Sequence, residues 1–134
     1  MKKILLTAAL ALITHNAMAD WSAYSKSDVS TGYYDVATAR KSGSKVKLWI
    51  LYDQTKEDSI LGKPYWSTKQ RTEFDCKREQ WRVLSLSFYS DHMGKGKVVI
   101  SSSDKNKFQP VLPGTVIEHY YKLACGPVIS MLAN

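Results

Sequence analysis

Cys76 lies in the segment FDCKREQWR, residues 74–82, with Asp75 before it and Lys77, Arg78 and Glu79 after it. Three kinds of chemistry are open to a cysteine so placed: nucleophile, metal ligand, or half of a crosslink. A nucleophile needs a neighbouring base and a depressed pKa. Lys77 and Arg78 favour a thiolate, Asp75 and Glu79 oppose it, and His92 and His119 stand in no recognisable protease or transferase motif. A metal site drawn from Cys76, Cys125, His92 and His119 lacks the close Cys-x-x-Cys or His-x-x-x-His spacing that chelation favours. The sequence has no GxSxG, HExxH, phosphate loop or dinucleotide fingerprint. Its carboxylate pair Glu57-Asp58 falls in a polar stretch where nothing would raise a pKa for acid–base work. Neither catalysis nor a cofactor is expected.

The first residues decide how the cysteines behave. Lys2 and Lys3 precede an apolar run from Ile4 to Ile13, and Ala17-Met18-Ala19 forms a small-residue cleavage site. These are the parts of a secretory leader, in order. The run falls well short of the roughly twenty apolar residues that span a bilayer. Residues 1–19 are expected to be removed and residues 20–134 to form a single periplasmic or secreted domain. Asp20, not cysteine, follows the cleavage site, so no lipid anchor is expected, and no later apolar stretch is long enough for a membrane span. Loss of Lys2 and Lys3 leaves 17 basic and 12 acidic side chains, a net charge of +5. In an oxidising compartment the two cysteines Cys76 and Cys125 tend to pair. The loop they would close is about fifty residues, a constraint worth roughly 4 kcal/mol.

The spacing of apolar residues predicts the elements that carry these side chains. Residues 21–27 and 33–40 read as strands, with a hairpin turn at KSGS, residues 41–44. KVKLWILYD, residues 45–53, alternates most clearly: Val46, Leu48, Ile50 and Tyr52 share one face, and Lys45, Lys47, Trp49, Leu51 and Asp53 the other. The second face turns apolar midway, which predicts a cover over it. Residues 54–64 read as a polar connection. The run that follows is too long for one strand and is split around residues 77–80. Beyond the split, Leu84, Leu86 and Phe88 are expected on one face, and residues 97–101 form a sixth strand after a glycine turn at 93–96.

The period then changes. Thr115 and Glu118 form a capping box, Val116, Tyr120 and Leu123 a helical stripe flanked by Ile117, Tyr121 and Ala124, and Gly126-Pro127 the expected end. Strands in series followed by a helix predict an α+β fold. A homodimer through an exposed sheet edge is compatible with this pattern.

Two surface features point to partners. Trp21, Trp49, Trp66, Trp81 and the pairs Tyr33-Tyr34 and Tyr120-Tyr121 serve core packing first and a binding face second. Lys95, Lys97, Lys105 and Lys107 stand against the single acid Asp104, a stretch suited to acidic partners such as sulfated glycans or acidic protein segments. Export argues against nucleic acid more strongly than the charge argues for it.

Trp21, YYD at 33–35, the strand RKSGSKVKLW ending at Trp49, Asp75-Cys76, Tyr89, a glycine turn, FQPVLPG at 108–114 and a last cysteine at 125 follow one another in an order that resembles the surface-adhesin protein E-like family. The resemblance covers essentially all of residues 20–134. It implies a curved antiparallel sheet of about six strands with a C-terminal helix packed on it, tied by a Cys76–Cys125 disulfide. It also implies a non-catalytic binding protein for host matrix or plasma proteins such as vitronectin and laminin. The missing lipid anchor supports an alternative, a soluble periplasmic accessory protein that binds a small ligand or an envelope partner.

Overall fold

The computed structural model describes residues 20–132; the expected leader, residues 1–19, lies outside them. Six strands follow one another in the sheet in the same order as in the chain, every neighbour antiparallel: β1 (Ser22–Lys26), β2 (Ser30–Ser42), β3 (Lys45–Ile60), β4 (Lys63–Asp75), β5 (Gln80–Tyr89) and β6 (Val98–Ser102). A two-residue strand, β7 (Gln109–Pro110), pairs with Gln80 and Trp81 at the start of β5, whose other end pairs with β6. Helices α1 (Val116–Ala124) and α2 (Pro127–Leu132) close the chain.

The alternation in β3 decides which face the helices take. Val46, Leu48 and Ile50 are at most 2% exposed. They form a core with Ala39 of β2, Phe74 of β4, Tyr120 and Ala124 of α1, and Ile129 of α2. Each Val, Leu, Ile or Phe so buried contributes about 1.5–3 kcal/mol relative to exposure. Tyr120 is fully buried, and its hydroxyl lies 3.0 Å from Ser25 Oγ. Gly32 makes room for it: a Cβ there would run into Tyr120 Oη and Ser25 Oγ.

The disulfide Cys76–Cys125, with Cα atoms 5.6 Å apart, joins the β4–β5 turn to the end of α1. Cys76 is held independently of that bond. Its N–H donates to Ser44 O at 2.8 Å, and its carbonyl accepts from the Tyr121 hydroxyl at 3.1 Å. Buried Asp75 orders the same turn by accepting the N–H groups of Lys77 and Arg78. The acidic neighbour of the cysteine is thus a turn-former, and the bonded sulfur is no nucleophile.

Three expectations need correction. Residues 54–64 are not a connection: β3 runs to Ile60 and β4 starts at Lys63, around Leu61 and Gly62 at φ +50° and +74°. Positive φ at both central residues suits a tight hairpin, and residues 55–59 read as polar because they are exposed. Leu84, Leu86 and Phe88 do not share a face. Val83 pairs with Thr72 and Ser85 with Arg71, which leaves Leu84 as the extra residue of a bulge.

Val116 leaves the helical stripe at 49% exposure, whereas Tyr120 and Ala124 are the buried residues of α1. Gly126-Pro127 follows the end of α1 at Ala124, as expected, and Pro127 then begins a second helix, α2. Proline suits a first helical position, where its missing N–H has no partner to lose. The capping box is present in altered form. Thr115 Oγ1 accepts from Glu118 N–H, but Glu118 Oε1 accepts from Gly114 N–H.

Replacing both cysteines by serine should cost about 4 kcal/mol, the entropy of the loop the bond closes. Denaturant unfolding of oxidised wild type beside the double variant measures it, and equal midpoints would contradict the constraint. Gly32→Ala should destabilise by about 1–3 kcal/mol through overpacking against Tyr120.

Burial pushes Tyr120 up to about 12, helped by neighbouring Tyr24 and opposed by the Ser25 hydrogen bond, and raises Tyr52 as well. Between the ordinary value of 10.0 and about 12 the folded chain therefore keeps protons that the unfolded chain has released. Stability should be complete below that window and fall as pH rises through it. The last part of the tyrosinate absorbance should rise together with the loss of circular dichroism, and ionisation of every tyrosine with the fold intact would contradict the assignment.

Candidate functional site

The sheet face turned away from the helices is built from aligned rows. Lys47 pairs with Glu73 and Glu73 with Arg82; Trp49 pairs with Arg71 and Arg71 with Ser85; Leu51 pairs with Lys69 and Lys69 with Ser87. Period two along β3 and the antiparallel register across β4 and β5 put these side chains on one surface. Glu73 is 5% exposed, and its Oε1 accepts from Arg82 Nε at 2.8 Å and Nη2 at 2.7 Å. The Arg82 guanidinium lies 4.2 Å from the centre of the Phe108 ring, and Lys45 Nζ 5.5 Å from it. Phe108, just before β7, thereby seals one end of the face.

A turn seals the other end. The 3-10 turn His92–Gly94 folds over β3 and β4: Asp53 accepts from Met93 N–H at 2.8 Å and pairs with His92 Nδ1 at 3.0 Å. Ser67 Oγ donates to Asp91 O and accepts from Gly94 N–H. The cover expected over the apolar part of β3 is therefore here, and Leu51 beneath it is fully buried. Lys69 passes under Gly94, where a Cβ would strike its side chain, and its Nζ reaches 5.0 Å from Tyr89 and 5.9 Å from Trp21.

An irregularity in β2 opens a cavity between these ends. Asp35 pairs with Trp49 and Arg40 with Lys47, so four residues of β2, 36–39, bulge against one of β3. Asp35 braces the bulge: its Oδ1 accepts from Ala37 N–H at 3.0 Å and its carbonyl from the Thr38 hydroxyl at 2.8 Å. Arg40 Nη1 donates to the carbonyls of Ala37 and Ala39. The cavity beside the bulge, about 260 Å³, is lined by Trp21, Asp35, Thr38, Trp49, Lys69 and Tyr89. A second, of about 460 Å³, has Lys47, Arg71, Arg82 and Lys105 among its lining, and Trp49 borders both.

The lysines singled out in the sequence are all exposed. Lys95 and Lys97 precede β6, Lys105 and Lys107 follow it, and five extended residues put roughly 17 Å between the pairs. Lys105 lines the larger cavity with Lys47, Arg71 and Arg82, residues the sequence reading passed over. The available signal was Lys47 and Trp49 on one face of β3; Arg71 and Arg82 needed the register. His119 stacks on Tyr24 with ring centres 4.1 Å apart, and His92 contacts Trp66. Among the described residues no group of three or more His, Cys, Asp or Glu is placed to hold a metal.

Arg82→Ala should destabilise by about 2–3 kcal/mol, because it strands the buried Glu73 carboxylate and uncovers Phe108. Denaturant unfolding tests this, and a variant as stable as wild type would show that Lys47 suffices as the partner.

Solved structures share this architecture. The structure of Haemophilus influenzae protein E aligns with a TM-score of 0.64 at 12% identity, covering 88% of this chain and 89% of that one. Crystal form II of the same protein aligns at 0.60 and 13%, covering 77% and 83%. The protein E structure from non-typeable Haemophilus influenzae aligns at 0.56 and 14%, covering 83% and 78%. At such identities the likeness concerns the fold. A comparison with curated proteins finds no match. The sequence model of the surface-adhesin protein E family matches residues 21–126, and the chain belongs to that family.

Proposed function

We propose that this is an exported, non-catalytic binding protein of adhesin type that takes a host matrix or plasma protein on the open face of its sheet. The observation that carries the reading is the composition of that face. Half-buried Trp21, Trp49 and Tyr89 lie beside Lys47, Arg71 and Lys105, while the acids among them, Asp35 and Glu73, are buried. Rings supply contact area at low entropic cost, and unpaired cations speed encounter with an acidic surface. Lys95, Lys97 and Lys107 extend the positive charge along the β6 edge. Family membership supports the same reading, and among the described residues no helix is long and apolar enough to cross a membrane.

Immobilised vitronectin and laminin, the partners the family resemblance implies, should bind the chain saturably and less tightly as salt rises. Lys47→Ala/Arg71→Ala/Lys105→Ala should weaken binding roughly tenfold, and Lys95→Ala/Lys97→Ala less. Equal binding by both variants and wild type would remove the open face from the account. Protein confined to the periplasm on fractionation would replace host adhesion with the accessory role.

A further inference from the structure

The two cavities that meet at Trp49 ask for different things of a ligand. Asp35, 3% exposed, lines the smaller one, and one carboxylate oxygen is already held by the Ala37 N–H. An anion entering there meets that carboxylate, and a cation meets Lys69, stationed over Trp21 and Tyr89. What suits the space is a neutral ring with apolar faces for Trp21, Trp49 and Tyr89 and a hydroxyl to donate to Asp35. The larger cavity asks for negative charge. Arg82 is committed to Glu73, but Lys47, Arg71 and Lys105 take part in no ion pair among the described residues. Ser85 and Ser103 add hydroxyls beside them.

We propose that this groove binds an acidic carbohydrate chain, one sugar ring packed against Trp49 at the Asp35 cavity and the sulfate or carboxylate groups of the next sugars on Lys47, Arg71 and Lys105. A pyranose carries apolar C–H faces and hydroxyl donors, and an acidic polymer of such rings meets both demands along one strand. An acidic peptide meets only the second and leaves the Asp35 cavity unfilled. The assignment rests on the reading of the protein as a binding module and names the chemistry of its ligand.

The test uses the chain from Asp20 onward, titrated with size-defined heparin oligosaccharides, unsulfated polyuronate oligosaccharides, a neutral oligosaccharide of equal length, and polyglutamate. Tryptophan fluorescence and calorimetry report binding at low and high salt. The expected result is saturable, salt-weakened binding of at least one acidic saccharide; sulfate or carboxylate is identified by which of the first two arms binds. Trp49→Ala, which leaves the charge unchanged, should weaken it about tenfold. Lys47→Gln/Arg71→Gln should weaken it at least as much, and serves as the readout if Trp49→Ala does not fold. Polyglutamate bound as tightly as the saccharides, the Trp49 variant bound equally well, or no acidic saccharide bound at all would each overturn the assignment. Vitronectin and laminin stripped enzymatically of their glycans separate the two readings. Undiminished binding of the stripped proteins removes the carbohydrate and keeps the adhesin, whereas free saccharide bound without either protein does the reverse.

Discussion

The two-residue period of β3 is the constraint on which the rest of the structure depends. Val46, Leu48 and Ile50 must be covered, and Lys47, Trp49 and Leu51 necessarily point the other way. One strand at the middle of the meander thus fixes where the helices dock and, by the same geometry, what the opposite surface offers. A slip of one residue against β4 would exchange the two sets, so a buried core on one face also holds the other in register. The disulfide acts on this arrangement locally. It fastens the end of α1 to a turn that Ser44, Tyr121 and Asp75 already hold in place.

The two faces are finished by different physics. On the helical side, apolar side chains close around Tyr120, with Gly32 conceding the volume its ring requires. On the open side, charge is neutralised from within: Glu73 takes Arg82, Asp35 takes a backbone N–H of its own bulge, and Asp53 takes the turn that caps Leu51. With the acids so engaged, the cations and rings are what remains at the surface. A sheet face exposed in this way keeps its solubility and still carries contact area for a ligand.

Much of the fold was legible because its strands are amphipathic and its helix carries a cap. The alternation of residues 45–53, the turn at Gly43, the split near Lys77 and the Thr115 cap each reflect a local preference that tertiary packing reinforced. What escaped reading was non-local or polar. The outer half of the β3–β4 hairpin buries too little to show a period, and its turn rests on Leu61 adopting a conformation unusual for its type. The Leu84 bulge and the β2 irregularity are matters of register between strands, invisible in either strand alone. The open-face groove was illegible for the same reason, since Lys47, Arg71, Arg82 and Lys105 come from separate segments. The Lys95 to Lys107 cluster was conspicuous because it is contiguous in sequence, yet β6 divides it in space.

Every strand pair of the β1–β6 meander joins neighbours in the chain, so the sheet can be laid down progressively in chain order. Its apolar cover is delivered last. Until residues 116–132 dock, Val46, Leu48, Ile50 and Phe74 face solvent, and the uncovered sheet is a sticky, one-sided surface. The helices are therefore the lid of the core and not dispensable: removing them strips Tyr120, Ala124 and Ile129 from the interior while leaving the open face of the sheet, on paper, untouched.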